Sequence, residues 1–261
     1  MSIILSIDIG TSSAKALLLE AESAQVLGTA SHEYGVDKPT ADRAEQDPDS
    51  WWDAVAVIVP QVMAQTGTLP DAVIAIGLTG QMHGTVMLDE AHKPVHPAII
   101  WADQRSRGAV EALIDQFGTD DYAQLTGTLP ATGFMVSTLL WIAQNKADLL
   151  DATHHIVLPK DYVRLKLTGN IATDISDAAS TGMFDVSHGN WAQSITDFVG
   201  VDVTKLPSVL ESTQIAGRLT QRASQTLGLA VGIPVIAGCA DQPAQALTNG
   251  LVGTGIASVT I

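Results

Sequence analysis

Residues 3–19 read Ile-Ile-Leu-Ser-Ile-Asp-Ile-Gly-Thr-Ser-Ser-Ala-Lys-Ala-Leu-Leu-Leu. Ile3–Ile9 is an apolar run broken by one acidic residue, Asp8. Gly10-Thr11-Ser12-Ser13 is a turn cluster, and Ala14–Leu19 is a second apolar run. A third, Val26–Tyr34, follows the polar turn at Glu22-Ser23. Strands joined by turns this short pair antiparallel, because a parallel pair needs a long crossover. The chain therefore opens on an antiparallel β-meander.

Outward from the meander the period changes. Asp47-Pro48-Asp49-Ser50 carries helix-start signals, and Trp51, Trp52, Val55, Ile58, Val59 and Val62 recur at helical spacing. These predict a helix to about Gln65. Val73–Leu78 reads as a buried strand and Thr85–Leu88 as another. Arg107–Phe117 and Val136–Leu150 read as helices, the second with an apolar stripe at 136, 139, 140, 143, 147 and 150. A short strand is expected at Ile156–Leu158 and a helix at Lys160–Leu167. Ser176–Asp185, rich in small residues, reads as a loop packed close to something. A strand at Val231–Gly238 and a helix at Asp241–Asn249 follow, and Ile256–Ile261 reads as an apolar β run. A strand that apolar normally has chain on both sides, so a second domain is expected beyond it.

Composition narrows the function classes. The 261 residues suffice for a sizeable core. A formal charge of −15 repels phosphate backbones, which argues against nucleic acid as a partner. The one cysteine, Cys239, cannot form an internal disulfide, which fits a reducing compartment. The N-terminus lacks the basic region of a signal peptide, and no run of 18 apolar residues exists. A soluble cytoplasmic protein with no membrane partner is the expectation. An exposed interdomain face would allow a homodimer.

Three short motifs sit where chemistry is done. In Asp8-x-Gly10-Thr11-Ser12-Ser13, the turn N–H groups and three hydroxyls can form a concavity for anions. Asp8 lies in an apolar strand, where a water-bridged metal ion would offset its burial. The alternative is a polar hairpin with a strand-end Asp. In Gly80-Gln81-Met82-His83-Gly84, two glycines bracket side chains able to approach a polyol, or else form a tight turn around a satisfied histidine. In Gly238-Cys239-Ala240-Asp241-Gln242, an Asp between strand and helix is either a base held ionised or an N-cap. Trp101-Ala102-Asp103-Gln104-Arg105 could line a sugar site or be a surface loop with a local ion pair. His154-His155 lacks metal-site spacing, and Cys239 reads as a small buried hydrophobe. There is no P-loop and no dinucleotide fingerprint.

Taken in order, these motifs resemble the FGGY carbohydrate kinases. The resemblance adds Ile-Ile-Trp-x-Asp-x-Arg near 100, Leu-Pro-Lys-Asp-Tyr at 158–162 and Ser-Asp-Ala-Ala at 176–179, and covers essentially the whole chain. Gln81-Met82-His83-Gly84 is similar to the sugar loop of the xylulokinase branch; glycerol kinases carry Arg-Glu in place of Met82-His83. Cys239-Ala240 stands where many relatives have Gly-Gly.

The resemblance implies an α/β protein of the actin-like ATPase superfold. Its ribonuclease-H-like core would hold a mixed sheet with an antiparallel N-terminal meander flanked by helices. Residues 1–250 would form the sugar-binding domain, and residues 251–261 the start of a nucleotide-binding domain. The implied reaction is ATP- and Mg²⁺-dependent phosphorylation of a ketopentose, D-xylulose first. Asp241 matches the catalytic base, and Asp8 the acid near Mg²⁺, both reaching the metal through water. Gly10, Thr11, Ser12 and Ser13 match the first phosphate loop. Gln81, Met82, His83, Trp101, Asp103, Asp241 and Gln242 are the sugar contacts. Rival readings are an FGGY kinase for another sugar, a non-catalytic sugar-binding actin-like module and a chaperone- or actin-type ATPase. This chain alone is expected to lack turnover, because the second phosphate loop and adenosine pocket would lie in the next domain.

Overall fold

The computed structural model describes residues 1–255 and 257, so the expected strand at Ile256–Ile261 falls, Ala257 apart, outside the described residues. The meander forms as expected: β1 (Ile3–Ile9), β2 (Ser13–Glu20) and β3 (Val26–Glu33) pair antiparallel. Alternate residues of β1 are buried, which the period-2 geometry of a strand requires. β4 (Val73–Gly80) then pairs parallel with β1.

Three short strands complete this sheet: β5 (Ile215–Arg218), β6 (Pro234–Ile236) and β7 (Cys239–Ala240). The order is β5-β6-β4-β1-β2-β3, and β7 also pairs with β4. This is the mixed sheet expected of the actin-like superfold.

Helix α1 (Pro48–Thr66) supplies the crossover between β3 and β4 and packs on β2 and β3. Asp47 caps it by accepting the Asp49 N–H, Pro48 takes the position that needs no N–H, and Gly67 ends it at φ +67°. Trp51, Val55, Ile58, Val59 and Val62 are all fully buried, each contributing about 1.5–3 kcal/mol of apolar burial.

A second apolar core forms from α2 (Arg107–Phe117), α3 (Thr119–Thr126), α4 (Met135–Asn145), α5 (Ala147–Asp151) and, later in the chain, α8 (Gln193–Val199). The helix expected over Val136–Leu150 is two helices. Lys146 leaves helical geometry at φ −147°, and Ala147 is exposed rather than in the stripe.

α6 (Pro159–Thr168) packs into the first core through Tyr162, Val163, Leu165 and Leu167, and α7 (Ile175–Ser180) follows it. The second corrects the loop expected at Ser176–Asp185: Asp174 caps it by accepting the Ser176 N–H. α9 (Gln221–Leu227) packs on α1 and α6, and α10 (Asp241–Thr248) follows β7.

One glycine decides how β7 reaches the sheet. Gly238 has φ +81°, and a Cβ there would lie 2.1 Å from the Leu78 carbonyl oxygen. Gly238→Ala is expected to displace β7 or strain the backbone by about 2–3 kcal/mol. For a chain of this size that lowers the melting temperature by about 5–10 °C. An unchanged thermal midpoint would mean the turn tolerates a side chain.

Candidate active site

Three parallel strands end in register. Asp8 pairs with Thr79, which pairs with Cys239; in the next row Ile9, Gly80 and Ala240 align. Beyond that row the chain leaves the sheet as Gly10–Ser12, as Gln81–Gly84 and as Asp241. The three sequence motifs thus meet at the carboxyl edge of the parallel strands, where open α/β sheets form ligand crevices.

The first loop is held by its carbonyls. Gly10 N–H donates to the Ser13 carbonyl at 3.1 Å, closing the hairpin. Tyr34 OH donates to the Gly10 carbonyl at 2.6 Å, and Gln46 Nε2 to the Thr11 carbonyl at 2.8 Å. Trp101 Nε1 donates to Thr11 Oγ1 at 2.8 Å. Among the described residues no protein acceptor takes the Thr11 or Ser12 N–H. Outward N–H groups with inward carbonyls make a local anion-binding surface. Asp8 sits behind the loop; burial raises its carboxyl pKa, and Lys15 at 3.5 Å opposes that.

The second loop carries a fixed imidazole. His83 adopts φ +68°, a conformation histidine tolerates better than most residues. Its Nδ1 lies 2.7 Å from the Ser180 carbonyl oxygen. A carbonyl only accepts, so Nδ1 carries the proton and a neutral ring presents an Nε2 lone pair. The ring stacks on Phe134 at 3.7 Å and 9°. Burial lowers the pKa of His83 and so favours the neutral form, against the opposing pull of the Ser180 carbonyl. Met82 is half-buried beside it.

Gln81 behaves differently from the expected sugar contact. It is buried, and its Nε2 donates to Gln46 Oε1 at 2.9 Å, while its own Oε1 has no partner. Its amide therefore links the two loops from beneath.

Asp241 is the first residue of α10, not its N-cap, which is Ala240. Its Oδ1 accepts the Gln242 N–H at 2.8 Å. Burial pushes its carboxyl above the usual range, and the charge of Asp8 adds to the rise. That coupling places the two acids in one electrostatic site. Gln242 is exposed. Cys239 is half-buried with its thiol pushed up by burial, consistent with a small inert residue.

The Trp101–Arg105 segment splits. Trp101 is half-exposed and hydrogen-bonded to the first loop. Asp103 is fully buried, accepting the Ala44 N–H at 2.8 Å and binding Arg105 at 2.8 and 2.9 Å. Arg105 also binds Glu45 at 2.5 Å. Asp103 is therefore a partner in a buried ion cluster, and its expected role as a sugar contact is withdrawn.

Two members of the site have no sequence signature. Phe134 acts by stacking, and Ser180 acts through its backbone carbonyl. The assembled groups can accept a proton from a hydroxyl, orient that hydroxyl with a neutral imidazole and receive an anionic group on backbone N–H donors.

Among the described residues no helix is long and apolar enough to cross a membrane. The chain is 34% identical over its whole length to a xylulose kinase from Lactococcus lactis, covering 52% of that protein. It is 32% identical to the xylulose kinase of Escherichia coli, over 98% of this chain and 51% of that one. It superposes on a crystal structure of xylulose kinase from Rhodospirillum rubrum with a TM-score of 0.91 and 25% identity, over 97% of this chain and 52% of the other. The chain thus spans about half the length of the relatives it matches. Residues 3–248 match the N-terminal domain of the FGGY carbohydrate kinases, and the chain belongs to that family.

Proposed function

We propose that this chain is the sugar-holding part of an ATP-dependent ketopentose kinase that converts D-xylulose to D-xylulose 5-phosphate. The observation that carries the reading is the aligned strand edge. It brings Asp241, with its raised proton affinity, together with Asp8, the first loop and the fixed His83 imidazole.

Asp241 accepts the proton of the primary hydroxyl of the ketose. The freed oxygen forms a bond to the γ-phosphorus of ATP while the bond from that phosphorus to the bridging oxygen breaks, and ADP leaves. His83 Nε2 accepts a hydrogen bond from a sugar hydroxyl, and the half-exposed Trp101 face packs on the sugar's C–H surface. The Thr11 and Ser12 N–H groups receive phosphoryl oxygens. Such catalysis is mostly positioning and electrostatics.

Among the described residues no cluster of three or more His, Cys, Asp or Glu can hold a metal ion directly. Two carboxylates, Asp8 and Asp241, suit Mg²⁺, which keeps several waters and takes phosphate oxygens. When bound, Mg²⁺ supplies positive charge to the transferred phosphoryl group.

A panel of ketoses and polyols, read by ATP consumption in the full-length protein, tests the assignment. D-Xylulose is expected to give the highest kcat/KM; a higher value for another sugar, or none for any, overturns it. His83→Ala is expected to raise KM for D-xylulose roughly tenfold, the loss of one hydrogen bond with a buried partner left unpaired. An unchanged KM would remove His83 from the sugar site.

A further inference from the structure

Helix α7 touches the site at both of its ends. At its start, Ser176 Oγ accepts the Ala240 N–H at 2.9 Å, one residue before Asp241. The same hydroxyl donates to Asp174 Oδ2 at 2.6 Å, so it is committed on both sides. At its end, the Ser180 carbonyl takes the His83 Nδ1 proton at 2.7 Å. One six-residue helix thus binds both the strand that delivers the base and the loop that delivers the imidazole.

The helix is anchored from behind by buried ions. Lys160 Nζ lies 2.9 Å from Asp174 Oδ1 and 3.0 Å from Asp177 Oδ2, and all three side chains are almost wholly buried. Asp174 also accepts from Ser212 Oγ at 3.0 Å. Arg164 Nη1 donates to the Ala237 carbonyl at 2.5 Å, gripping the segment that leads into β7. A Cβ on Gly80 would lie 3.2 Å from Lys160 Cβ, so the anchor sits directly under the strand ends.

We propose that α7 is a spacer that sets the Asp241 carboxylate against the His83 imidazole, and that Ser176 is the positioning residue through which it holds Asp241. The inference rests on the kinase reading above. It goes beyond that reading by assigning a role to a hydroxyl that is not itself a sugar or phosphate contact. A base displaced by about an ångström from its hydroxyl costs on the order of 10²-fold in rate, so a link this close to Asp241 governs turnover more than affinity.

The test compares Ser176→Ala and Ser176→Thr in the full-length protein. Ser176→Ala is expected to lower kcat for D-xylulose by about 10–100-fold with KM within about threefold. Amide hydrogen exchange at Ala240 should quicken, because its acceptor is gone. Ser176→Thr keeps the hydroxyl and should restore kcat to within about threefold of the parent. A packing role alone would not distinguish Thr from Ala in this way. The proposal fails if Ser176→Ala turns over within about twofold of the parent, or if Ser176→Thr is as slow as Ser176→Ala. In either case a parent that phosphorylates ketoses leaves the kinase reading standing. A parent that phosphorylates none fails that reading instead, and exchange at Ala240 then decides: unchanged protection in Ser176→Ala overturns the clamp.

Discussion

Asp241→Asn in the full-length protein is expected to lower kcat by about 10²–10⁴-fold, the range that general-base help supplies. The substitution keeps the shape of the side chain and its Oδ1, so the amide can still accept the Gln242 N–H that the carboxylate accepts at 2.8 Å. It removes only the ability to take a proton. Sugar affinity should hold, because the amide keeps the shape of the carboxylate and its accepting Oδ1. A fall in kcat with sugar binding retained marks an interaction made in the transition state. Steady-state kinetics with calorimetric titration of D-xylulose checks both halves. Turnover near the parent rate would take the base role away from Asp241 and leave the aligned strand edge without its proton acceptor.

Much of this site is legible in the sequence because its chemistry requires particular residue types at strand ends. Asp8 lies near the end of an apolar strand, the Gly10–Ser13 turn and Asp241 each come just after one, and Met82-His83 follows the strand and turn that end at Gly80-Gln81. The fold lets strand ends meet, so the motifs come together. The parts that mislead are those where direction, not type, decides. Asp103 reads either as a polyol ligand or as half of a local ion pair on a surface loop; the pair with Arg105 forms, but buried, and its second acid is Glu45, sixty residues earlier. Gln81 likewise turns beneath the loop rather than out of it. Phe134 and Ser180 give no signal, since stacking uses any aromatic and a carbonyl belongs to every residue.

The same limit governs secondary structure. Arg107–Phe117 shows its full apolar period and is read to the residue. The helix Ile175–Ser180 is too short to complete two turns of a stripe, so only its Asp174 cap betrays it. The stripe over Val136–Leu150 is interrupted at the break: Ala147 is exposed, and Leu150 is the residue of α5 that returns to the core. Periodicity registers which side faces the core and is silent on whether the backbone between is continuous.

Lys160→Met is expected to cost about 3–5 kcal/mol, the usual loss when one partner of a buried ion pair is removed. Lys160 is fully buried within 3.0 Å of Asp161, Asp174 and Asp177, and Arg164 adds a second cation at 2.8 Å from Asp161. Two cations thus face three carboxylates. Burial pushes the Asp177 carboxyl up to about 7, with Asp161 and Asp174 adding to the rise against the opposing pull of Lys160. Asp161 goes the other way: burial raises it, but Lys160 and Arg164 outweigh burial and hold it below its ordinary value. A proton held on Asp177 would offset the one negative charge that the two cations leave unbalanced.

The two shifts have opposite consequences for stability. Asp177, raised in the folded protein, contributes stability that is complete below its ordinary carboxylate value and is lost as pH rises through about 7. Asp161, lowered, contributes stability present above its ordinary value and lost as pH falls through its folded value. Without Lys160, Asp161 and Asp177 lose their shared counter-charge, and both favour the protonated form more strongly. The deficit of Lys160→Met should therefore widen as pH rises, from about pH 5 to about pH 8. Asp177→Asn supplies the control: a neutral amide cannot ionise against Asp161 and Asp174, so it should match or exceed the parent at about pH 8. Thermal midpoints of the three proteins at the two pH values decide the matter. A Lys160→Met deficit that is constant or shrinks with pH would mean the cluster is held by packing rather than charge. The anchor beneath α7 would then have to be sought in the apolar contacts around it.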